Sequence, residues 1–557
     1  MFYKKYLFPF LIVFISGIVL IDLFKPGLPL THDGQDHVAR IANFYQNLSE
    51  GNIIPRWAGN LNWGYGHPIL EFLYPLSSYF ASFFHFFGFI LVDSVKLVFG
   101  TSFVLSGLAM YLFIKEQLSD DKAAFFASVL YVIAPYRFVD LYVRGAIGEH
   151  VAFIFPPLIF YFLLKINKRY SIKYLIGGAF SFAGFNLAHN AISLMFMPLF
   201  GLYILFLLLQ SKNKLKLSSQ YLFMILLGFG LSAFFLVPAF MEGKYTLRDI
   251  VTGGGEYARS FVIWKDFFIS AWSYGGTVAL SKQIGFIHWI SVFSSVIVTY
   301  LLYKKRNRLW MISLGSFLIF WAILFLMTSS SNPIWQTITI LQKFQFPWRF
   351  LSVAVFLSAL MGGILLSLIS DRYKKVALLI FVVGLLIVNK NYWHAQGFLQ
   401  KEEGFYADIY NGTTDTGESA PIWSVRFMEK RPKSKVEIIE GYGEIKEIAR
   451  NVTKREYQIE AKEKIRILEN TLYFPGWTVL VDGKPKIIEF QDQNYRGLIT
   501  FNVDKGGHRV NIGYGETKTR LLADIISFVS LLAVGGLMIF KSLRLKKGYN
   551  NKSYGKR

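Results

Sequence analysis

Apolar runs of roughly 20 residues recur along this chain, and about 20 such residues in a helix cross the hydrocarbon core of a bilayer. Few sequence features constrain folding more, because a backbone inside lipid must satisfy every N–H and C=O within its own helix or barrel. Twelve spans are expected, near residues 6–24, 92–114, 122–137, 150–164, 173–188, 191–209, 219–240, 286–303, 310–328, 350–369, 376–391 and 521–541. The composition agrees: 53% of residues are hydrophobic and mean hydropathy is +0.39. The run Tyr6–Phe24 follows Lys4 and Lys5, is too long for a signal-peptide core and lacks a small-x-small cleavage site. It reads as an uncleaved anchor.

The net charge of +23 invites a nucleic-acid reading, but its distribution argues against one. The basic residues cluster in short loops: Lys165–Lys173, Lys212–Lys216, Lys304–Arg308, Asp371–Lys375 and the tail Lys541–Arg557. The positive-inside rule places such loops, and both termini, in the cytoplasm of a multi-pass plasma membrane protein. Anionic phospholipid headgroups are their expected partners, and no nucleic acid is needed. There is no cysteine, which removes disulfides, thiol nucleophiles and thiolate metal sites from consideration. With this parity the segment Pro68–Phe89, which carries Glu71 and two prolines, is a helix lying in or dipping into the outer interface rather than a span.

Parity also directs attention to the outer segments. Leu30–Pro68 packs His32, Asp33, Asp36 and His37 together, continues with helical spacing through Val38, Ile41, Ala42 and Tyr45, and ends rich in Trp and Gly. Acids and imidazoles this dense at a membrane rim are costly unless solvated or used. They can equally be a hydrated loop whose acids cap a helix. The second outer loop, Pro135–Glu149, holds Arg137, Asp140, Arg144 and Glu149, with the first three on one face if helical. An interfacial salt-bridged turn is the alternative. His189 lies in a tight turn between spans, as a hydrogen-bonded cap or a ligand-facing group. Arg349, in FQFPWRF, is a snorkelling anchor or a site residue.

Residues Asn391–Arg520 form a long polar segment patterned as strands. Trp477–Val481, Asp482-Gly483 and Lys484–Phe490 read as a hairpin, since Asp-Gly supplies the positive φ angles of a type I′ turn. Glu456–Ala461, Lys464–Leu472, Gly497–Val503 and His508–Tyr514 add alternating runs. A small β-sandwich is expected, after a loose Gly/Thr-rich linker at Asn411–Gly417.

Taken in order, these motifs carry a resemblance. An uncleaved span precedes an Asp pair, PRW and G-x-G-x-P, and the second loop reads PYR…D-x-Y-x-R-G-x-x-G-E. FPWRF follows, then YFPGWTVLVDGK and a G-x-H-x-V strand. The chain resembles YfhO-like, 6-pyruvoyl-tetrahydropterin synthase-related membrane proteins of the GT-C glycosyltransferase superfamily. The resemblance implies a polytopic α-helical, GT-C-like module over residues 1–390 with outer catalytic loops at 25–91 and 135–149. An extracytoplasmic β-sandwich domain at 391–520 and a final span with a basic tail at 521–557 complete it. It also implies transfer of a sugar from a polyprenyl-phosphate-linked donor to an extracytoplasmic glycan or lipid acceptor. By position, Asp33, Asp36 and Glu149 match the catalytic acids, with His37, Arg137, Arg144, His189 and Arg349 around the substrate. An inverting transfer needs a carboxylate to take the acceptor's proton and positive charge on the departing phosphate. The arginines, or a divalent cation (Mg2+ or Mn2+) held by Asp36 and Glu149, supply that charge. The Asp-x-x-Asp spacing departs from Asp-x-Asp and leaves base and metal open; the family name implies no pterin chemistry here. A lipid-linked glycan flippase and a non-catalytic scaffold presenting the β domain are the competing classes.

Overall fold

The computed structural model describes residues 2–253, 255–275 and 279–553. A helix stands at each of the twelve apolar runs, but their lengths differ from the expected spans. Among the described residues seven helices are long and apolar enough to cross a membrane, including Leu91–Leu118, Ile147–Lys168, Asn190–Gln210 and Pro347–Leu368. The number becomes nine if two bent pairs each count as one span. The count of twelve is therefore not what the described residues show by length and composition.

The reasons are local. The first helix ends at Val19 because Asp22 is buried just beyond it, ion-paired with Lys25 at 2.7 Å and accepting the Ala395 N–H at 2.8 Å. Asp121–Val132 breaks before Pro135, which disfavours helical geometry at the preceding residue, and the chain resumes over Pro135–Arg144 at a 47° bend. Lys214–Leu231 and Ala233–Met241 bend by 70° at Ser232, whose hydroxyl donates to Gly228 O while accepting from Asn186. Pro68–Phe89 holds two short helices, Ile69–Phe72 and Leu76–Phe86, with Phe83 and Phe86 exposed along the second and Phe87 and Phe89 exposed just beyond it.

The polar segment makes two antiparallel sheets. The larger has the order β4-β5-β10-β7-β8, from Gly443–Arg450, Lys454–Ala461, Gly506–Tyr514, Trp477–Val481 and Lys484–Lys486. The smaller is β3-β6-β9, from Val436–Glu440, Ile465–Leu472 and Leu498–Val503. Asp482 and Gly483 take φ values of 51° and 75°, as the hairpin turn requires. Apolar residues of both sheets, including Tyr457, Ile467, Val479, Phe501 and Val510, share one buried cluster. The last strand of the hairpin is short, and β3 and β4 were not among the expected strands: their alternation is interrupted by charge, as in GEIKEIAR.

The two parts interlock. A two-residue ladder pairs β1 (Leu28–Pro29) with β2 (Phe398–Leu399). Trp57 leaves the first loop and joins the core of the sheets, fully buried against Trp477 and Tyr514. Beneath it, Arg56 pairs with Asp524 at 2.8 Å, and Arg520 pairs with Glu71 and Glu242, each at 2.7 Å.

Candidate functional site

The first and second loops meet backbone to backbone. His32 and Asp33 donate their N–H groups to the carbonyls of Val143 and Arg144, each at 3.0 Å. Gly145 permits this approach: its φ is +68°, and a Cβ there would collide with Thr31. The helix Gly34–Ser49 starts at this seam. Asp33 stands in the capping position, yet its carboxylate makes no capping bond and remains exposed. Asp36, one turn in, accepts a hydrogen bond from Tyr410 at 2.9 Å. Burial raises its pKa, against the pull of that bond and of the Arg40 charge.

Behind the seam lies a buried ionic cluster. Val139–Arg144 forms a π-type turn, and within it Arg144 reaches Asp140 at 2.6 Å. The same guanidinium contacts Glu149 Oε1 at 2.7 Å, and Arg349 contacts that oxygen at 2.9 Å. Tyr136 donates to Oε2 at 3.0 Å, so both oxygens of Glu149 are engaged and the residue is 1% exposed. Arg144 also lies over the Trp348 ring, its guanidinium carbon 4.6 Å from the centroid. His189 sits 3.8 Å from Glu149 and stacks on Tyr74.

A cavity of about 580 Å³ opens in front of this cluster. Asp33, His37 and Arg40 of the first loop line it, together with Tyr74, Arg144, Trp348 and Arg349. Lys282 and Phe261 come from the segment after residue 241, Thr414, Asp415 and Thr416 from the segment expected to be a loose linker, and Glu418 from just beyond it. That linker is well anchored. Asp415 accepts the N–H groups of Gly417 and Ser419 at 2.9 and 3.0 Å, and His67 lies 3.4 Å away. Burial opposes its ionisation, but His67 and Ser419 hold its pKa well below the usual carboxylate range. Glu418 is pushed up, first by burial and then by the Asp415 charge.

Of the eight residues singled out from sequence, Asp33, His37, Arg144 and Arg349 reach the cavity. Glu149 stands directly behind the two arginines, and His189 behind Tyr74. Asp36 is turned to Tyr410 and is not part of the lining. Arg137 is fully buried in the helical bundle, 4.0 Å over the Phe153 ring and bonded to Ser106 at 3.1 Å, away from the wall. The donor set does not fit a metal bridging Asp36 and Glu149. Two guanidiniums and a phenol occupy Glu149, and among the described residues no group of three or more His, Asp or Glu is placed to hold an ion. Arg40, Tyr74, Lys282, Asp415 and Glu418 were not anticipated. Only Arg40 had a legible signal, three and four residues beyond His37 and Asp36 on one helix face.

Comparison with known proteins places the chain in a family. A protein of Lactococcus lactis subsp. cremoris strain MG1363, described as uncharacterised, is 25% identical over 268 residues. The match spans 46% of this chain and 43% of that protein, so the chain accounts for less than half of its relative's length. ArnT from Cupriavidus metallidurans bound to undecaprenyl phosphate is similar over 69% of this chain and 63% of its own, at 14% identity and a TM-score of 0.36. The Archaeoglobus fulgidus oligosaccharyltransferase, in complex with Zn and sulfate, is similar over 75% and 59% of the two chains, at 15% identity and a TM-score of 0.41. Likenesses this loose assign neither fold nor activity. The family description for the 6-pyruvoyl-tetrahydropterin synthase related domain, a membrane protein, matches residues 70–395. That is more than half of the sequence, and the chain belongs to this family of membrane proteins.

Proposed function

We propose that the chain is a membrane glycosyltransferase of GT-C type, moving a sugar from a polyprenyl-phosphate-linked donor to an extracytoplasmic glycan or lipid acceptor. The observation that supports this reading best is the cavity wall itself. An exposed, uncapped carboxylate, Asp33, shares it with the guanidiniums of Arg144 and Arg349, at the ends of helices apolar enough to cross a membrane. The carrier's tail would lie against those helices and its phosphate at their ends. The distribution of basic loops supports an outer position for the cavity and the two sheets.

In this reaction the acceptor hydroxyl oxygen bonds to the donor's anomeric carbon, with inversion, as the bond from that carbon to the phosphate oxygen breaks. Asp33 takes the hydroxyl proton as general base. Asp36 is less suited, because its carboxylate is committed to Tyr410 outside the cavity. Negative charge grows on the departing phosphate, where a planar guanidinium fork matches the oxygens better than an ammonium. Glu149 orients the two forks, since it binds both arginines through one oxygen.

The test is transfer from a polyprenyl-phosphate sugar by the purified chain in lipid nanodiscs. Asp33→Asn should lower kcat by at least about a hundredfold, the scale of a lost general base. Asp36→Asn should retain most of it. Transfer by Asp33→Asn at the wild-type rate would remove this carboxylate from the reaction.

A further inference from the structure

Charge accounting within the cavity singles out a residue that the reading above leaves unused. Arg144 and Arg349 are matched at contact distance by Asp140 and Glu149, so that cluster is close to neutral before any ligand arrives. Arg40 is different. Its side chain is 6% exposed, it lines the cavity, and all its hydrogen bonds run to neutral partners. Nε donates to Thr414 Oγ1 at 3.2 Å, Nη1 to His37 Nδ1 at 3.0 Å, and Nη2 to the Thr414 carbonyl. Among the described residues no carboxylate lies within 4.0 Å of its guanidinium. The nearest acids feel its charge but are bonded elsewhere, Asp36 to Tyr410 and Glu418 to Thr416. A buried cation without a matching anion is costly, and such groups are ordinarily paired.

Two further observations point the same way. Lys282, on the same cavity wall, donates to the Leu280 carbonyl at 3.1 Å and likewise has no carboxylate within 4.0 Å among the described residues. Thr414, which Arg40 grips twice, has φ of +65°, a strained setting for a β-branched residue. Strain of this kind persists only where neighbours impose it, and it concentrates at ligand clamps.

We infer that Arg40 and Lys282 form an anion subsite for a phosphate or diphosphate group, adding to Arg144 and Arg349, whose charges Asp140 and Glu149 already meet. This rests on the transferase reading only for the source of the anion; the subsite itself would equally take a free phosphate species. Arg40 has N–H donors left after its three bonds, and a guanidinium presents five in all. Binding therefore adds charge-assisted bonds without first breaking the grip on Thr414.

Calorimetric titration of the purified full chain in detergent, with farnesyl phosphate, farnesol and inorganic pyrophosphate as probes, tests it. The wild type should bind farnesyl phosphate more tightly than farnesol, and Arg40→Gln should lose that preference by about tenfold or more. Lys282→Gln should lose severalfold, and Arg40→Lys should recover part of the loss. Because Arg40 also holds Thr414, its Gln variant can fail to fold; Lys282→Gln then decides, and unchanged affinity in it overturns the inference. Binding of farnesyl phosphate undiminished in both Gln variants would refute the subsite while leaving the transferase reading standing. Arg40-dependent binding of pyrophosphate without any of farnesyl phosphate would keep the subsite and remove the lipid carrier. No binding of either phosphate by the wild type would end both.

Discussion

Asp415 illustrates how neighbours, not residue type, set the role of a carboxylate here. Two backbone N–H groups and His67 surround it, and its pKa is depressed despite burial. For an acid whose folded pKa lies below its unfolded value, the stabilisation is fully present above the unfolded value. It is lost as pH falls through the folded one. Asp415→Asn should therefore lower stability by about 1.5–3 kcal/mol at neutral pH, the range for hydrogen bonds to a charged acceptor. The gap from wild type should stay constant down to about pH 5 and close only below the ordinary carboxylate range. Thermal unfolding of both proteins at several pH values measures it, and a gap that closes already between pH 7 and 5 would mean that another group carries the effect. The same contrast separates Asp33 from Asp36. Their proximity in sequence marked both as candidates, but only a neighbour 374 positions away, Tyr410, shows which is spoken for.

Elements follow the sequence pattern where a local rule is strong, and depart from it where a distant partner intervenes. The Asp482-Gly483 hairpin forms as its turn chemistry demands. The segment Asn411–Gly417 looked like a flexible linker, because Gly and Thr dominate it. Instead its Asp415 turn and the Arg40 contact make it a wall of the cavity. Likewise the PRW motif of the first loop is a strut. Trp57 is wholly buried between Trp477 and Tyr514, which ties the loop carrying Asp33 to the sheets. Trp57→Ala should cost about 3–5 kcal/mol, the usual range for emptying a large aromatic site. Limited proteolysis should then cut between residues 420 and 436 much faster, with the helical part still intact. Unchanged protease resistance would show that the ion pairs of Arg56 and Arg520 hold the junction alone.

The sidedness expected from the basic loops can be tested directly in a chain without cysteine. Lys484→Cys, exposed on the hairpin, should react with a membrane-impermeant maleimide in intact cells, whereas Lys305→Cys should react only after lysis. The reverse pattern would invert the topology and move the cavity to the cytoplasmic side. The sequence by itself determined that the chain is helical and membrane-bound, that strands run from Glu456 to Tyr514, and that the first two polar loops are rich in ionisable side chains. Those properties are local: hydropathy over about 20 residues and turn chemistry over a few. Only the tertiary structure decided that Glu149 is walled in by arginines, that Arg137 belongs to the bundle interior, and that Arg40 lines the cavity with no carboxylate within 4.0 Å among the described residues. Whether a charge is spent or free depends on groups brought within a few ångströms from positions hundreds of residues apart. Coulomb energy falls with spatial distance and is blind to separation along the chain.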